Sequence, residues 1–161
     1  MNIEFEELPE SSRIWIYQCN RTFSEQEQSE INQALKSFID TWGTHGQPLK
    51  AGFTMPYNRF IVIAVDQEHQ APSGCSIDAS VHLIQEFEQK FNIVLMDNMN
   101  VSFKHGQFIA YKALKEFKQM AKDKSISANT IVFNNLVTTK AEFESNWEVP
   151  AAESWHSRFI K

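Results

Sequence analysis

The segment from Ser24 to Trp42 carries the strongest structural signal in the chain. Its apolar residues recur at helical spacing and form one stripe, made of Ile31, Ala34, Leu35, Phe38, Ile39 and Trp42. Ser24 and Glu27 are spaced as a capping box, in which each side chain accepts a hydrogen bond from a backbone N–H near the other. Gly43 is a typical helix stop. The pattern predicts an amphipathic helix that must bury one long face.

Strand patterns surround this helix and a second one. Residues 13–19, 49–55, 59–65 and 101–104 are predicted strands, and residues 77–91 form the second predicted helix, with a core stripe of Ile77, Val81, Ile84, Phe87 and Phe91. The first and third strands are apolar on both faces, as central strands are. The order β-α-β-β-α-β is the split βαβ of a ferredoxin-like domain. We therefore expect the α+β class with a ferredoxin-like core.

The chain continues well past this core. A strand at 108–111, a helix at 113–122, a strand at 130–133 and a short helix after Thr139 are predicted, followed by a tail that contains Trp147, Trp155 and Phe159. Aromatic residues of this size are rarely left exposed, so we expect the tail to pack. A length of 161 residues suits one domain. The prediction is a single domain 1–161, with a core at about 10–111 and a C-terminal extension at about 112–161 packed on it.

The charge and the cysteine content argue against nucleic-acid-binding proteins and disulfide-rich secreted proteins. The net charge of −5 disfavours binding to nucleic acid, because an acidic chain repels phosphate backbones. Cys19 and Cys75 are too few for a disulfide framework, and the acidic N-terminus is not a signal peptide. The longest apolar run, residues 60–65, is too short to cross a bilayer. These observations predict a cytoplasmic protein with no membrane partner. A homodimer through the sheet or the extension is an open alternative.

One stretch, residues 73–82, has the character of a site. It runs from a loop into the start of the second predicted helix and contains Ser73, Gly74, Cys75, Ser76, Asp78 and His82. Backbone donors in the first turn of a helix favour an anion, and the same position stabilises a thiolate. All six residues are ligand-binding candidates, and Cys75 is the candidate nucleophile. The competing interpretation is a capped helix start with a small buried cysteine.

Helix geometry weakens the catalytic interpretation. His82 lies seven positions after Cys75, a rise of about 10 Å along a helix, so the two side chains cannot hydrogen-bond directly. Asp78 and His82 are i,i+4 neighbours and form an ordinary surface pair. A thiol–imidazole pair would therefore need another histidine: His45, His69, His105 or His156.

Motifs for other chemistries are missing from the sequence. His69, Cys75, Asp78 and His82 match no zinc spacing, so no metal is expected. GxxxxGK[ST], GxGxxG, GxSxG and HExxH do not occur, and no cofactor is expected. Trp15 and Tyr17 lie on a predicted strand without an RNA-binding pattern, and we expect them in the core.

Several segments resemble a known family over nearly the whole chain. Residues 6–17, 59–66, 73–78, 130–135 and 154–159 are similar to short proteins from Bacteroidetes that often carry the automatic label "ABC transporter ATPase". That label implies a P-loop, an LSGGQ-type signature and a Walker B strand, and this sequence has none of them. The resemblance supplies no catalytic residues. The sequence predicts a non-catalytic domain that binds a small ligand, an anion or a protein; the alternative is a thiol-dependent enzyme that uses Cys75, and ATP hydrolysis is the least favoured.

Overall fold

The computed structural model describes residues 1–160, which form two compact units. The first unit comprises Met1–Met96 and Thr138–Ala141, and the second comprises Asp97–Val137 and the chain from Glu142 onward. Both contain helices and antiparallel sheets, which confirms the α+β class. The division falls between residues 96 and 97, whereas the sequence analysis placed the end of the core near residue 111. That the chain is a single domain stays a prediction.

The helices and strands are numbered here in chain order. The first unit contains β1 (Arg13–Gln18), α1 (Glu25–Asp40), β2 (Gly43–Thr44), β3 (Gln47–Pro48), β4 (Ala51–Thr54), β5 (Phe60–Val65) and α2 (Gly74–Phe91). The second contains β6 (Asn100–His105), β7 (Phe108–Ala113), α3 (Leu114–Lys122), β8 (Ile131–Phe133) and, after α4 (Lys140–Asn146), β9 (Glu148–Pro150). The residues of α4 divide between the two units. Among the described residues, no helix has the length and apolarity needed to cross a membrane.

A three-stranded antiparallel sheet forms the centre of the first unit. Its order is β1-β5-β4, so β5 is the middle strand, and Ile63 pairs with Trp15 on one side and with Phe53 on the other. All six residues of β5 are buried, as its unbroken apolar run predicted. Of the two strand aromatics predicted to be core, Tyr17 is buried and Trp15 is half-buried.

The first helix follows its sequence signals closely. Ser24 Oγ accepts from the Glu27 N–H at 3.1 Å, and Glu27 Oε1 accepts from the Ser24 N–H at 2.8 Å, so the predicted capping box is confirmed. Ile31, Leu35 and Ile39 lie fully buried on its inner face. The helix ends at Asp40, two residues before the predicted end.

A small hairpin between α1 and β4 was not predicted. β2 and β3 pair in antiparallel fashion, and His45 and Gly46 join them with φ angles of 50° and 79°. Two successive positive φ angles are those of a type I′ turn, the turn that matches the twist of a two-residue hairpin. Gly43 permits the close approach of the strands, because a Cβ there would lie 2.6 Å from Gln47 O. Strands of two residues leave no periodicity in a sequence, so pattern analysis missed them.

The second helix differs from its prediction in its start and its buried face. It begins at Gly74 rather than at Ile77, and its buried residues are Ser76, Ser80, Ile84 and Phe87. Ile77, Val81 and Phe91 of the predicted stripe are only half-buried. The two serines can be buried because their hydroxyls donate to backbone carbonyls, Ser76 Oγ to Ser73 O at 2.8 Å and Ser80 Oγ to Ile77 O at 2.6 Å.

The predicted fourth strand of the ferredoxin-like sheet lies in a different sheet. Residues 101–104 belong to β6, which pairs with β7 and β8 in a four-stranded sheet of order β7-β6-β8-β9 in the second unit. The first-unit sheet has three strands, and Arg13 at the other edge of β1 forms a bridge with Thr139. A short turn with Gly106 at φ 65° makes local β6–β7 pairing favourable. The ferredoxin-like order is therefore matched only by the first three strands.

Aromatic residues of the C-terminal tail are packed within the second unit. Trp147 is buried and stacks on Phe143 with ring centroids 4.7 Å apart. Trp155 and Phe159 pack against the cluster that surrounds Phe117. The expectation that these side chains would be packed rather than free is confirmed.

Candidate functional site

An open cleft of about 650 Å³ lies at the start of α2 in the first unit. One wall is the first turn of α2, and the other comes from the end of α1 and the β2–β3 hairpin. The lining residues are Phe38, Thr41, Trp42, Gly43, Thr44, His45, Ser73, Gly74, Cys75, Ser76 and Ala79. Four of the six residues singled out in the sequence therefore line one cleft: Ser73, Gly74, Cys75 and Ser76.

The first turn of α2 leaves two backbone donors open. Ser73 is the N-cap, and its Oγ accepts from the Ser76 N–H at 3.2 Å. Ser73 O accepts the Ile77 N–H at 3.0 Å. The N–H groups of Gly74 and Cys75 have no hydrogen-bond partner in the described part of the chain. Because the first turn of a helix carries a partial positive charge, these donors form an anion-compatible surface.

Cys75 is the accessible thiol of this protein. Its side chain is exposed and free, and it occupies the second position of α2 within the cleft lining. The other cysteine, Cys19, is fully buried in the core, and burial raises the pKa of its thiol. Reagents in solution therefore reach Cys75 and not Cys19.

His45 is the histidine that shares the cleft with Cys75. It stands exposed at the tip of the β2–β3 hairpin, with the positive φ of the turn. His69 and His105 are not among the lining residues. His156 belongs to the second unit, where it is fully buried beside Ser154. Of the four histidines considered from the sequence, His45 alone lines the cleft.

Asp78 and His82 lie outside the cleft lining. Both are exposed on α2, further along the helix from Cys75. Their separation from the thiol follows the helical rise expected from the sequence. A role of Asp78 or His82 in ligand binding stays a prediction.

Three lining residues were not singled out as site residues in the sequence analysis: Phe38, Trp42 and Thr44. The Trp42 indole N–H donates to Ser76 O at 2.8 Å, which links a residue two positions after the end of α1 to the first turn of α2. Phe38 lies beside it, with ring centroids 5.1 Å apart. Thr44 is 3% exposed, and its Oγ1 has no hydrogen-bond partner among the described residues. No pattern in the sequence marked this wall as part of a site, because strands of two residues have no periodicity.

The described residues that line the cleft include no Lys, Arg, Asp or Glu. Within the described residues, no group of three or more His, Cys, Asp or Glu side chains could hold a metal ion. The cleft therefore offers backbone donors, hydroxyls, one thiol, one imidazole and an apolar wall.

A second cleft in the first unit, of about 400 Å³, is less suited to a ligand. It is lined in part by Asn2, Lys36 and Asp40. The Asn2 amide already donates to Lys36 O at 2.9 Å and to the Asp40 carboxylate. Its polar groups are thus partly engaged with one another, whereas the donors at the start of α2 are free.

Comparison with known proteins adds no assignment to this geometry. The resemblance to the Bacteroidetes proteins stays a prediction. No family model, no curated protein and no solved structure matches this chain.

Proposed function

We propose that the first unit binds a small anionic ligand, without catalysis, in the cleft at the start of α2. The observation that carries this proposal is the pair of unpartnered N–H groups of Gly74 and Cys75 at the wall of an open cleft. The first turn of α2 contains no acidic residue, whereas that of α1 contains Glu25 and Glu27. The positive end of α2 is therefore left without a carboxylate of its own.

The expected affinity is modest. A hydrogen bond to a charged group contributes about 1.5–3 kcal/mol, and the helix dipole adds about 0.3–1 kcal/mol. Association costs at least about 4 kcal/mol, so two such bonds leave at most about 3 kcal/mol, and a minimal anion binds with a dissociation constant on the order of 10 mM. Contacts with the rest of the cleft wall would tighten the binding of a larger ligand.

Gly74→Pro tests the anion site by deleting one donor. Proline is favoured at the first helical position, and Ser73 has the extended φ and ψ (−86°, 168°) that a residue before proline prefers. We expect acetate to shift the Cys75 amide resonance in the wild type and to bind about tenfold more weakly to the variant. Gly74→Ala is the control, because its N–H remains and its Cβ meets nothing within 4 Å. Equal binding by Gly74→Pro and wild type would contradict the proposal.

Thiol-dependent catalysis is the second candidate, favoured by the presence of Cys75 and His45 in one cleft. In that reaction His45 would accept the thiol proton, and the thiolate would add to an electrophilic carbon of the substrate. Iodoacetamide labelling tests it, since the buried Cys19 leaves Cys75 as the reactive position. His45→Asn is the matched variant, because asparagine tolerates a positive φ. A labelling rate equal to that of a peptide thiol, and unchanged in His45→Asn, would eliminate this candidate.

An interaction with an acidic protein is a further alternative for the second unit. Lys115, Lys118 and Lys122 are exposed on α3. Lys118 Nζ lies 5.0 Å from the centroid of the Phe159 ring. The simpler explanation is that these lysines form a face of α3 that only contacts solvent.

A homodimer is a separate possibility for this protein. Light scattering after size exclusion tests self-association, and a monomer at high concentration would exclude the homodimer.

ATP hydrolysis, the activity implied by the label on the resembling proteins, is the least favoured function. The chain has no P-loop sequence, and we expect no phosphate release from ATP.

We also propose a cytoplasmic location for this protein. Both of its cysteines are free, as is usual for cysteines in the reducing cytoplasm.

A further inference from the structure

We infer that the outer edge of β4 binds an extended peptide with basic side chains, supplied by a partner protein, as an added strand. This interaction is independent of the anion site at the start of α2. Three observations carry it: backbone groups of β4 that lack partners, a cleft that gives access to them, and an excess of carboxylates around that cleft.

The backbone of Phe53 turns its hydrogen-bonding groups away from the sheet. The Asp66 N–H donates to Lys50 O at 2.9 Å, so Lys50, just before β4, bonds towards β5. Bonded and non-bonded residues alternate along an antiparallel pair, so the N–H and C=O of Ala51 and Phe53 face the outer edge of β4. Those of Phe53 have no hydrogen-bond partner among the described residues. Because β4 is the last strand of its sheet, this edge is open at Phe53.

The chain itself shows how a peptide pairs with this edge. Its first residues run parallel to β4: the Ala51 N–H donates to Met1 O at 3.1 Å, and the Ile3 N–H donates to Ala51 O at 2.8 Å. Beyond this point the segment crosses over Gly52, where Ile3 O would collide with any Cβ. The pairing therefore ends at Ala51. The next outward-facing residue, Phe53, is left for a second peptide.

The cleft of about 400 Å³ gives access to this edge. It is lined by Phe53 of β4, by residues 2–5, and by Asn32, Lys36 and Asp40, which are four residues apart on one face of α1. The first residues of the chain pair with the outer edge, so the cleft that they border lies on that side of β4. Its side chains are partly engaged with one another, but the backbone groups of Phe53 are not. A groove between a helix and a strand edge suits a peptide that adds to the sheet.

The charge around the cleft favours a basic peptide. Glu4 is an exposed lining residue, and the exposed Glu6 and Glu7 follow in the same segment. Asp40 adds a carboxylate from α1, and Lys36 is the one cation among the described lining residues. The first unit contains seven Lys or Arg against thirteen Asp or Glu. A peptide with Lys or Arg side chains is therefore attracted to the cleft, whereas an acidic peptide is repelled.

Titration of the full chain with capped peptides tests the inference. The probe is acetyl-Lys-Val-Lys-Val-Lys-amide, and the measured quantity is the shift of the Phe53 amide resonance. We expect saturable binding, about tenfold tighter than that of acetyl-Glu-Val-Glu-Val-Glu-amide. The basic peptide N-methylated at every residue keeps its charge but cannot donate to Phe53 O, so we expect no response to it.

Three results would overturn the inference. The first is a Phe53 resonance that the basic peptide does not shift. The second is equally tight binding of the acidic or the N-methylated peptide. The third is a Phe53 resonance that moves with protein concentration alone, which would assign the edge to a second copy of this chain.

A charge reversal locates the bound peptide. Glu4→Lys changes an exposed residue of the cleft lining, so the fold should tolerate it. We expect the basic peptide to bind this variant about fivefold more weakly. Glu86→Lys makes the same change at an exposed position of α2 outside the cleft and should alter binding by less than about twofold. Equal effects of the two substitutions would contradict the inference, because the peptide would then respond only to the overall charge.

Discussion

The buried hydroxyl groups of Ser76, Ser80 and Thr44 differ in whether they have a hydrogen-bond partner. Those of Ser76 and Ser80 donate to backbone carbonyls of their own helix and can be buried at little cost. The hydroxyl of Thr44 is equally buried but has no partner among the described residues. At the scale of single residues, Thr44 thus carries a buried hydroxyl whose desolvation is not offset by a hydrogen bond within the described part of the chain.

Thr44→Val should stabilise the ligand-free protein. The change removes an unpaired hydroxyl and keeps the shape of the side chain, so we expect the free energy of unfolding to rise by about 1 kcal/mol. Urea unfolding monitored by circular dichroism measures it. Thr41→Val is the control, because the same chemical change at an exposed residue should alter stability by less than about 0.5 kcal/mol. Destabilisation by Thr44→Val would show that the hydroxyl is in fact hydrogen-bonded.

The two long helices of the first unit both begin with a serine N-cap, but the side chains of their first turns differ. At α1, Ser24 and Glu27 satisfy each other's backbone donors, and Glu27 also accepts two bonds from the Arg21 guanidinium at 2.7 and 2.8 Å. Those bonds from Arg21 lower the pKa of Glu27 to about 2. In α2 the third helical position, which is Glu27 in α1, is Ser76. Its side chain has no carboxylate that could accept the N–H of the N-cap residue. The two helix starts therefore differ in charge: the first turn of α1 carries Glu25 and Glu27, and the first turn of α2 carries no acidic residue.

Ser24→Ala should therefore weaken α1 measurably. Loss of an N-cap costs about 1 kcal/mol of unfolding free energy, because the Glu27 N–H loses its acceptor. Ser37→Ala provides the comparison at an exposed position inside the same helix, where alanine is the better helix former and should stabilise by about 0.5 kcal/mol. Equal effects of the two substitutions in urea unfolding would contradict the capping box.

At the scale of the whole molecule, the buried His156 should make stability depend on pH. It lies in the second unit with Nδ1 2.8 Å from Ser154 Oγ and its ring 5.4 Å from that of Phe117. Burial lowers its pKa to about 4, from an ordinary value of 6.5. Because the folded pKa lies below the unfolded one, protonation favours unfolding. The contribution is fully present above pH 6.5 and is lost as the pH falls towards 4.

Urea unfolding at pH 7.5 and pH 5 tests this contribution. We expect the free energy of unfolding to fall by about 2 kcal/mol between those values because of His156. His156→Phe should be less stable at pH 7.5, yet it should lose that part of the pH dependence. Glu27, with its lowered pKa, affects stability only below about pH 4.5 and does not interfere. An unchanged pH dependence in His156→Phe would assign the effect to another group.

Local patterns in the sequence determined the α+β class, the capped α1 with Ile31, Leu35 and Ile39 inside, and the fully buried β5. These features follow from spacing, caps and apolar runs, which act over a few neighbouring residues. Local Ser and Gly signals also predicted a capped helix start near residues 73–76, which the structure confirms, whereas ligand binding at this helix start stays a prediction.

Only the tertiary structure decided what this helix start faces. His45 and Cys75 are far apart in the chain, and they line one cleft because the β2–β3 hairpin packs beside the first turn of α2. The same holds for β6, whose sequence predicted a strand but did not specify its partners. Long-range pairing depends on the fit of whole surfaces and on loop closure, and neither leaves a periodic mark in the sequence.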